Sequence, residues 1–269
     1  MSTHDAALLE LSDLNLAEAH REQVRFALGY RIEEHEDALL LASATRYPAG
    51  PFNSLLPLGQ GVNDAVPLLD RARQWYGALN RGFTIYARQH RDRALVALWE
   101  REGYARVGEP VGMVLSQAPD AHALSTNVSI RTLQGAERAA DVVEISAAAY
   151  ESMGLPGDMT RKMFAMPERW LTPHWLVQVV YEGEQPVAGA MLLFSHGIAG
   201  VYWVGTRPEA RGRGRADAVM RSICRHAFEL GTRLVVLQAS PMGEPVYRRM
   251  GFREITRYPW YLVPKEPLG

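Results

Sequence analysis

The sequence predicts an α/β (α+β) protein: two mixed-sheet domains in tandem, mostly antiparallel strand flanked by helices. Three observations predict it. The apolar run Ile198–Thr206 feeds a turn rich in glycine and arginine, then a helical stretch, then another apolar run, which is the order of a strand, helix, strand unit. Just upstream, three apolar runs separated by short polar turns read as an antiparallel meander. The first half of the chain repeats the last part of this pattern in the same order.

Length and composition set the scale. The chain has 269 residues, 47% hydrophobic and 22% charged, enough for about two domains with their own cores. The expected division is 1–118, a Pro/Ala/Ser-rich linker at 119–126, and 127–269. A net charge of −1 argues against broad nucleic-acid binding, because the arginines are concentrated in one place. No apolar stretch follows a basic start, and no run of about 18 apolar residues occurs, so the expectation is a cytoplasmic protein without a membrane segment. The single cysteine, Cys224, excludes an internal disulfide and reads as a small core residue. The eight histidines show no metal-ligand spacing, so no metal is expected.

The elements of the second half follow in order. Residues 128–132 read as a strand, 135–149 as a helix, and 160–170 as a second helix bounded by Pro173. The meander is 175–181, a turn at 182–186, 187–195, a tight turn at His196-Gly197, and Ile198–Thr206. Helix 216–230 has Ala216, Val219, Met220, Ile223, Ala227 and Leu230 at helical spacing, with Gly231 at the place of a C-terminal cap. A strand at 233–239 and a short segment carrying Tyr247 complete the unit.

Between strand and helix stands Arg211-Gly212-Arg213-Gly214-Arg215-Ala216. Glycines let backbone N–H groups approach a ligand, the first N–H groups of a helix lack intrahelical partners, and the helix dipole favours negative charge there. Arg207, Arg211, Arg213 and Arg215 add charge and bidentate donors. The arrangement suits a pyrophosphate.

The spacing Arg211-x-x-Gly214-x-Ala216 resembles the acyl-CoA signature of the GNAT superfamily of N-acetyltransferases, which reads Gln or Arg, two residues, Gly, one residue, then Gly or Ala. Downstream, SPMGEPVYRRMGF resembles the family's second signature, Asn-x-x-Ala-x-x-Leu-Tyr-x-x-x-Gly-Phe. Tyr247, Gly251 and Phe252 match it, whereas Ser240, Gly243 and Val246 replace Asn, Ala and Leu. The resemblance covers 127–262 and implies acetyl-CoA as co-substrate and direct transfer, in a ternary complex, to a primary amine of a small molecule.

Such a transfer needs the thioester held, the oxyanion stabilised and the departing thiolate protonated. The backbone of Val204, Gly205 and Thr206 could pair with the pantetheine arm, and Gly205 permits a bulge that leaves an N–H free. By the resemblance that N–H faces the thioester oxygen. Tyr247 fits as the acid, since a phenol is protonated at neutral pH. Ser240 could bond the pantetheine arm or nearby backbone. No general base is identified: the strand before the cradle has no carboxylate, and water, Tyr202, Glu144 and Glu151 stay open. Acceptor specificity is expected in 150–170, with Tyr150, Glu151 and Met163, joined by Tyr202, as candidate contacts for an apolar or aromatic amine.

The first half lays onto the second in four places. The segment 98–104 matches 246–252, 83–87 matches the strand 233–239, 53–59 matches the last meander strand, and 64–79 matches the long helix. Its turn has no arginine and carries Asp64, and Trp99 replaces the tyrosine. The expectation is a degenerate copy that walls the cleft or forms an interface and binds no acetyl-CoA. A homodimer is compatible with the sequence. The rival function is a noncatalytic acyl-CoA-binding or sensing module, and a nucleic-acid contact through one short arginine-glycine turn is disfavoured.

Overall fold

The computed structural model describes residues 3–45, 50, 52–60, 65–121 and 123–265. In chain order the first half gives α1 (Thr3–Val24), β1 (Arg31–Glu34), β2 (Ala38–Ala42), β3 (Ser54–Pro57), α2 (Ala65–Ala78), β4 (Phe83–Tyr86), α3 (Arg93–Arg101), β5 (Ala105–Gly108) and β6 (Val111–Leu115). The second half gives β7 (Val128–Thr132), α4 (Ala139–Glu151), α5 (Gly157–Met163), β8 (Trp175–Glu182), β9 (Gln185–Ser195) and β10 (Ile198–Thr206). It continues with α6 (Arg215–Glu229), β11 (Val235–Ala239), α7 (Glu244–Arg249), β12 (Arg253–Arg257) and β13 (Trp260–Val263).

Two mixed sheets result, with strand orders β1-β2-β3-β4-β13-β5 and β12-β6-β11-β10-β9-β8-β7. The halves exchange their last strands. Strand β13 runs antiparallel between β4 and β5, with Tyr261 opposite Ile85 on one side and Arg106 on the other. Strand β6 runs antiparallel between β11 and β12, with Val114 opposite Val236 and Arg253. The linker at 119–126 therefore divides the chain but not the sheets: each sheet is completed by a strand from across it. The burial patterns explain why, since every residue of β6 is buried and could not remain at a solvated edge.

The repeat seen in the sequence is a repeat of structure. Strands β3 and β4 are parallel around α2 as β10 and β11 are parallel around α6, and α3 stands where α7 stands. Asp64 lies outside the described residues. Trp99 is fully buried, its ring 5.5 Å from that of Tyr261 on the exchanged strand, so it is a core residue of the first sheet.

Helix 160–170 of the sequence reading is corrected. Helix α5 ends at Met163, and a separate 3₁₀ turn follows at Pro167–Arg169, because Pro167 has no N–H for a continuing helix. Similarly, a 3₁₀ turn at Ala136–Arg138 precedes α4. His196 and Gly197 both take positive φ, 53° and 74°, the conformation of a tight hairpin turn matched to strand twist.

Helix α1 has no counterpart among the elements expected from local periodicity. This helix packs between the halves, against β9 and β10 on one side and β2 on the other. Both its faces are buried, so its apolar residues Leu8, Leu9, Leu16, Ala17, Ala19 and Val24 do not form a single stripe, and Ser12, Asn15, His20 and Gln23 are buried among them.

Candidate functional site

Strand β10 begins in parallel register with β11, Ala199 opposite Val235 and Val201 opposite Leu237, and there the pairing stops. Beyond Val201 the edge of β10 has no ladder partner on that side. On the other side its pairing with β9 jumps from Tyr202 opposite Met191 to Gly205 opposite Gly189, so Trp203 and Val204 together face Ala190. The Arg207 N–H donates to the Val187 carbonyl at 2.9 Å. By strand alternation Gly205 and Arg207 face β9, and the backbone groups of Val204 and Thr206 face the open cleft.

The bulge lies in the expected place but is not made by Gly205. Its left-handed residue is Trp203, with φ of 53°. A bulky residue held there costs of order 1–3 kcal/mol. The Trp203 indole N–H donates to Gln23 Oε1 at 2.9 Å, worth about 1 kcal/mol net. Edge-to-face packing on Tyr150 and Phe164, with centroids 5.0 and 4.7 Å away, adds about 0.5–1.5 kcal/mol each, enough to offset the strain. Gly205 serves another need: a Cβ there would lie 3.1 Å from that of Ala149, so glycine lets α4 approach the strand.

The turn after β10 adopts the geometry that the glycines suggested. Gly212 and Gly214 have φ of 74° and 71°, and Gly214 caps α6, which starts at Arg215 and not Ala216. Arg211 does not point free: its guanidinium donates to the Ala149 carbonyl at 3.0 Å and Ser152 Oγ at 2.8 Å, tying the end of α4 to the turn. Arg213 and Arg215 share Glu182, at 3.3 and 2.6 Å. Around the opening, Thr206 Oγ1, Arg207 Nε and Gln238 Nε2 are buried without hydrogen-bond partners. Orphaned donors at the mouth of a cleft, beside αL glycines and a helix N-terminus, fit an anionic group carried on a polar arm.

Two phenols flank the opening. Tyr247 is 8% exposed, its ring 5.8 Å from that of Phe252. Burial, then the neighbouring Tyr150 and Cys224, push its pKa well up, so it stays protonated. Tyr150 donates its hydroxyl to the Val204 carbonyl at 3.3 Å, on the open edge of β10. Ser240 accepts from the Gly243 N–H at 3.2 Å, capping the turn into α7.

The acceptor-side residues separate. Tyr202 is engaged: its hydroxyl donates to Asn15 Oδ1 of α1 at 2.7 Å, and burial raises its pKa. Met163 is fully buried in the core with Phe164 and Trp170, while Glu151 is exposed. Glu144 forms a two-bond pair with Arg161, at 2.8 and 2.7 Å, which holds its carboxyl below the usual range. Neither Tyr202 nor Glu144 is therefore poised as a base. The sequence reading missed the contribution of the first half: Gln23, Asn15 and Phe52 reach β10, and Thr45 donates to the Met159 sulfur at 3.6 Å. The signal was weak: Ser12, Asn15 and Gln23 stand among both apolar and charged residues of the helix, so nothing in the local pattern marks them as buried.

The matching cleft of the first half is filled. After Leu55 opposite Ile85, the buried Arg88 donates to the Gly59 and Leu58 carbonyls at 3.0 and 3.2 Å while pairing with Asp92 at 2.8 Å. Arg91 adds a bond to Gly59 at 3.1 Å. A groove of about 550 Å³ lined by Gln89, His90, Arg93, Glu100, Arg106 and Thr256 lies elsewhere and contains none of the cradle residues. Among the described residues no cluster of three or more His, Cys, Asp or Glu could hold a metal, and no helix is long and apolar enough to cross a membrane.

Fold and site together define a tandem mixed-sheet protein with one open cleft in its second half. Residues 195–255 match the family model described as an acetyltransferase (GNAT) domain. A mycothiol acetyltransferase of Arthrobacter sp. (strain FB24) is 31% identical over 215 residues, which span 72% of this chain and 62% of that relative's length. A GCN5-related N-acetyltransferase from Kribbella flavida superimposes with a TM-score of 0.71 at 18% identity, covering 94% of this chain and 96% of the other. A tandem GNAT protein from the clavulanic acid biosynthesis pathway gives 0.60 at 15%, covering 91% and 86%. These two likenesses are of fold. Residues 195–255 carry an acetyltransferase (GNAT) domain, and this chain spans less than two thirds of the length of the curated relatives it matches.

Proposed function

We propose that the chain is a GNAT-type N-acetyltransferase, moving an acetyl group from acetyl-CoA to a primary amine of a small molecule in a ternary complex. The observation that carries this reading is the parting of β10 from β11 beside the glycine-rich turn, with buried, partnerless donors on Thr206, Arg207 and Gln238 around it. The name of the Arthrobacter relative supports a small-molecule acceptor.

In this reading the backbone of Val204 and Thr206 offers a strand edge to the pantetheine arm, and the turn Arg211 to Ala216 receives the pyrophosphate. Ser240 shapes the turn that presents Tyr247. When bound, acetyl-CoA supplies a thioester, whose C–S bond breaks as the C–N bond to the acceptor forms. A backbone N–H at the bulge would face the thioester oxygen, and Tyr247, which burial leaves protonated, would supply the proton that the departing sulfur needs. With Glu144 tied to Arg161 and Tyr202 bonded to Asn15, the proton of the amine leaves to water or to the exposed Glu151. Tyr150, Tyr202 and Glu151 border the acceptor, with Met163 supporting the wall from the core. Residues 127–269 form the catalytic domain, completed by β6, and the first half is structural at the level of chemistry.

A second reading, acyl-CoA binding without turnover, is favoured by the lack of a carboxylate on β10. Thiol release from acetyl-CoA measured against a panel of primary amines separates the two. Amine-dependent release supports transfer, whereas CoA binding by calorimetry without thiol release in the presence of any amine supports the binder.

A further inference from the structure

We propose that Gln23, on the helix of the first half, is a positioning residue that sets the register of the acetyl-transfer edge through Trp203. The proposal rests on the transferase reading above. Asn80, His196 and Trp203 are the described non-glycine residues with positive φ. Asn80 and His196 sit in turns and are residue types that tolerate this conformation, whereas Trp203 is a bulky aromatic in the middle of a strand. Such a conformation persists only where its surroundings over-determine it.

Those surroundings come from both halves. Tyr150 and Phe164 pack on the indole from the second half, and Phe52 and Gln23 from the first. Gln23 is 3% exposed. The indole N–H can only donate, so it fixes the amide with its oxygen toward Trp203 and leaves Nε2 buried without a partner. The amide thus leaves one buried donor unsatisfied while its carbonyl holds the indole N–H.

The consequence lies in the register. With Trp203 left-handed, Trp203 and Val204 share one partner, and the backbone groups of Val204 and Thr206 fall on the open edge of β10. If Trp203 relaxed to an extended conformation, the strand would move by one residue and those groups would turn toward β9. The side of β10 that faces the cleft is thus held from across the domain boundary, 180 residues away in sequence.

The test compares wild type, Gln23→Leu, Trp203→Phe and the double variant in the full chain. The indole N–H resonance missing in Trp203→Phe identifies Trp203, and in Gln23→Leu that resonance should shift as the bond is lost. Acetyl transfer should fall roughly ten- to a hundredfold, the scale of an Ångström-level misplacement. Affinity for 3′-phosphoadenosine 5′-diphosphate, which reaches only the cradle, should not change, and affinity for acetyl-CoA should weaken. The double variant should be no worse than the worse single one. An unmoved resonance, unchanged transfer, or losses that multiply would each overturn the proposal. If Gln23→Leu does not fold, Gln23→Asn, too short to reach the indole, gives the same readings. Should wild type transfer acetyl to no amine, the transferase reading fails, and the resonance with the two affinities still decides the clamp.

Discussion

Arg215 donates from Nε to the Glu182 carboxylate at 2.6 Å, across the mouth of the glycine-rich turn, and Arg213 reaches the same carboxylate at 3.3 Å. Glu182 is the last residue of β8, so one anion from the meander occupies two cations of the cradle. In the proposed reading, a pyrophosphate received by the turn must displace it. Glu182→Gln should therefore tighten CoA binding about two- to fivefold, the scale of a partly exposed ion pair. Calorimetry at low salt reads this. Weaker binding would mean that Glu182 orients the arginines instead. The same titration should give about one site per chain, because Arg88 fills the equivalent cleft of the first half.

Removing only the hydroxyl of Tyr247 separates acid catalysis from packing. Tyr247→Phe keeps the ring against Phe252 and should lower turnover by roughly 10²-fold or more, with CoA affinity nearly unchanged. Steady-state kinetics paired with calorimetry checks it. Unchanged turnover would leave Tyr247 as a core residue, and Tyr150 would be the phenol to examine next.

Acid should weaken the seat of α1 on the first sheet through His20. Burial lowers its pKa from 6.5 to about 3, against Tyr86 and within 3.2 Å of Ser54 Oγ. The folded state keeps it neutral while the unfolded chain takes up a proton below 6.5. Its contribution is thus fully present above that pH and is lost progressively as pH falls from 6.5 toward 3. Within that window the slope approaches about 1.4 kcal/mol per pH unit. Denaturation followed from pH 7 to 4 should show a shallower decline in His20→Gln than in wild type. Equal slopes would refute the assignment.

A fragment starting at residue 127 should not fold into a soluble, active domain. It lacks β6, the central antiparallel partner of both β11 and β12, and carries β13 with no sheet to enter. Unpaired buried strands present edges for aggregation. Supplying a peptide spanning β6 should improve the fragment's solubility if the missing ladder is the cause. A soluble, fully active fragment without the peptide would show that strand exchange is dispensable.

Much of the second half was legible locally. Strand β10 has the expected bounds, Gly212 and Gly214 are left-handed as their turn demanded, and Tyr247 begins the last turn before Gly251 and Phe252. These features are written in period and in glycine placement, which act over a few residues. The second acceptor-side helix was misread because residues 160–170 keep apolar spacing across Pro167, where the backbone cannot continue. Helix α1 escaped notice because a helix buried on both faces has no stripe to detect.

The sequence by itself determined the order of the elements, the doubled pattern, the glycine-rich turn and the place of Tyr247 before Gly251 and Phe252, since each depends on residues near one another along the chain. Only the tertiary structure decided which sheet receives β6 and β13, that Trp203 and not Gly205 makes the bulge, and that Gln23 holds it. The strand exchange and the Gln23 contact depend on pairings across the two halves, β6 with β11 and β12, β13 with β4 and β5, and Gln23 with Trp203, which no pattern local to the chain specifies.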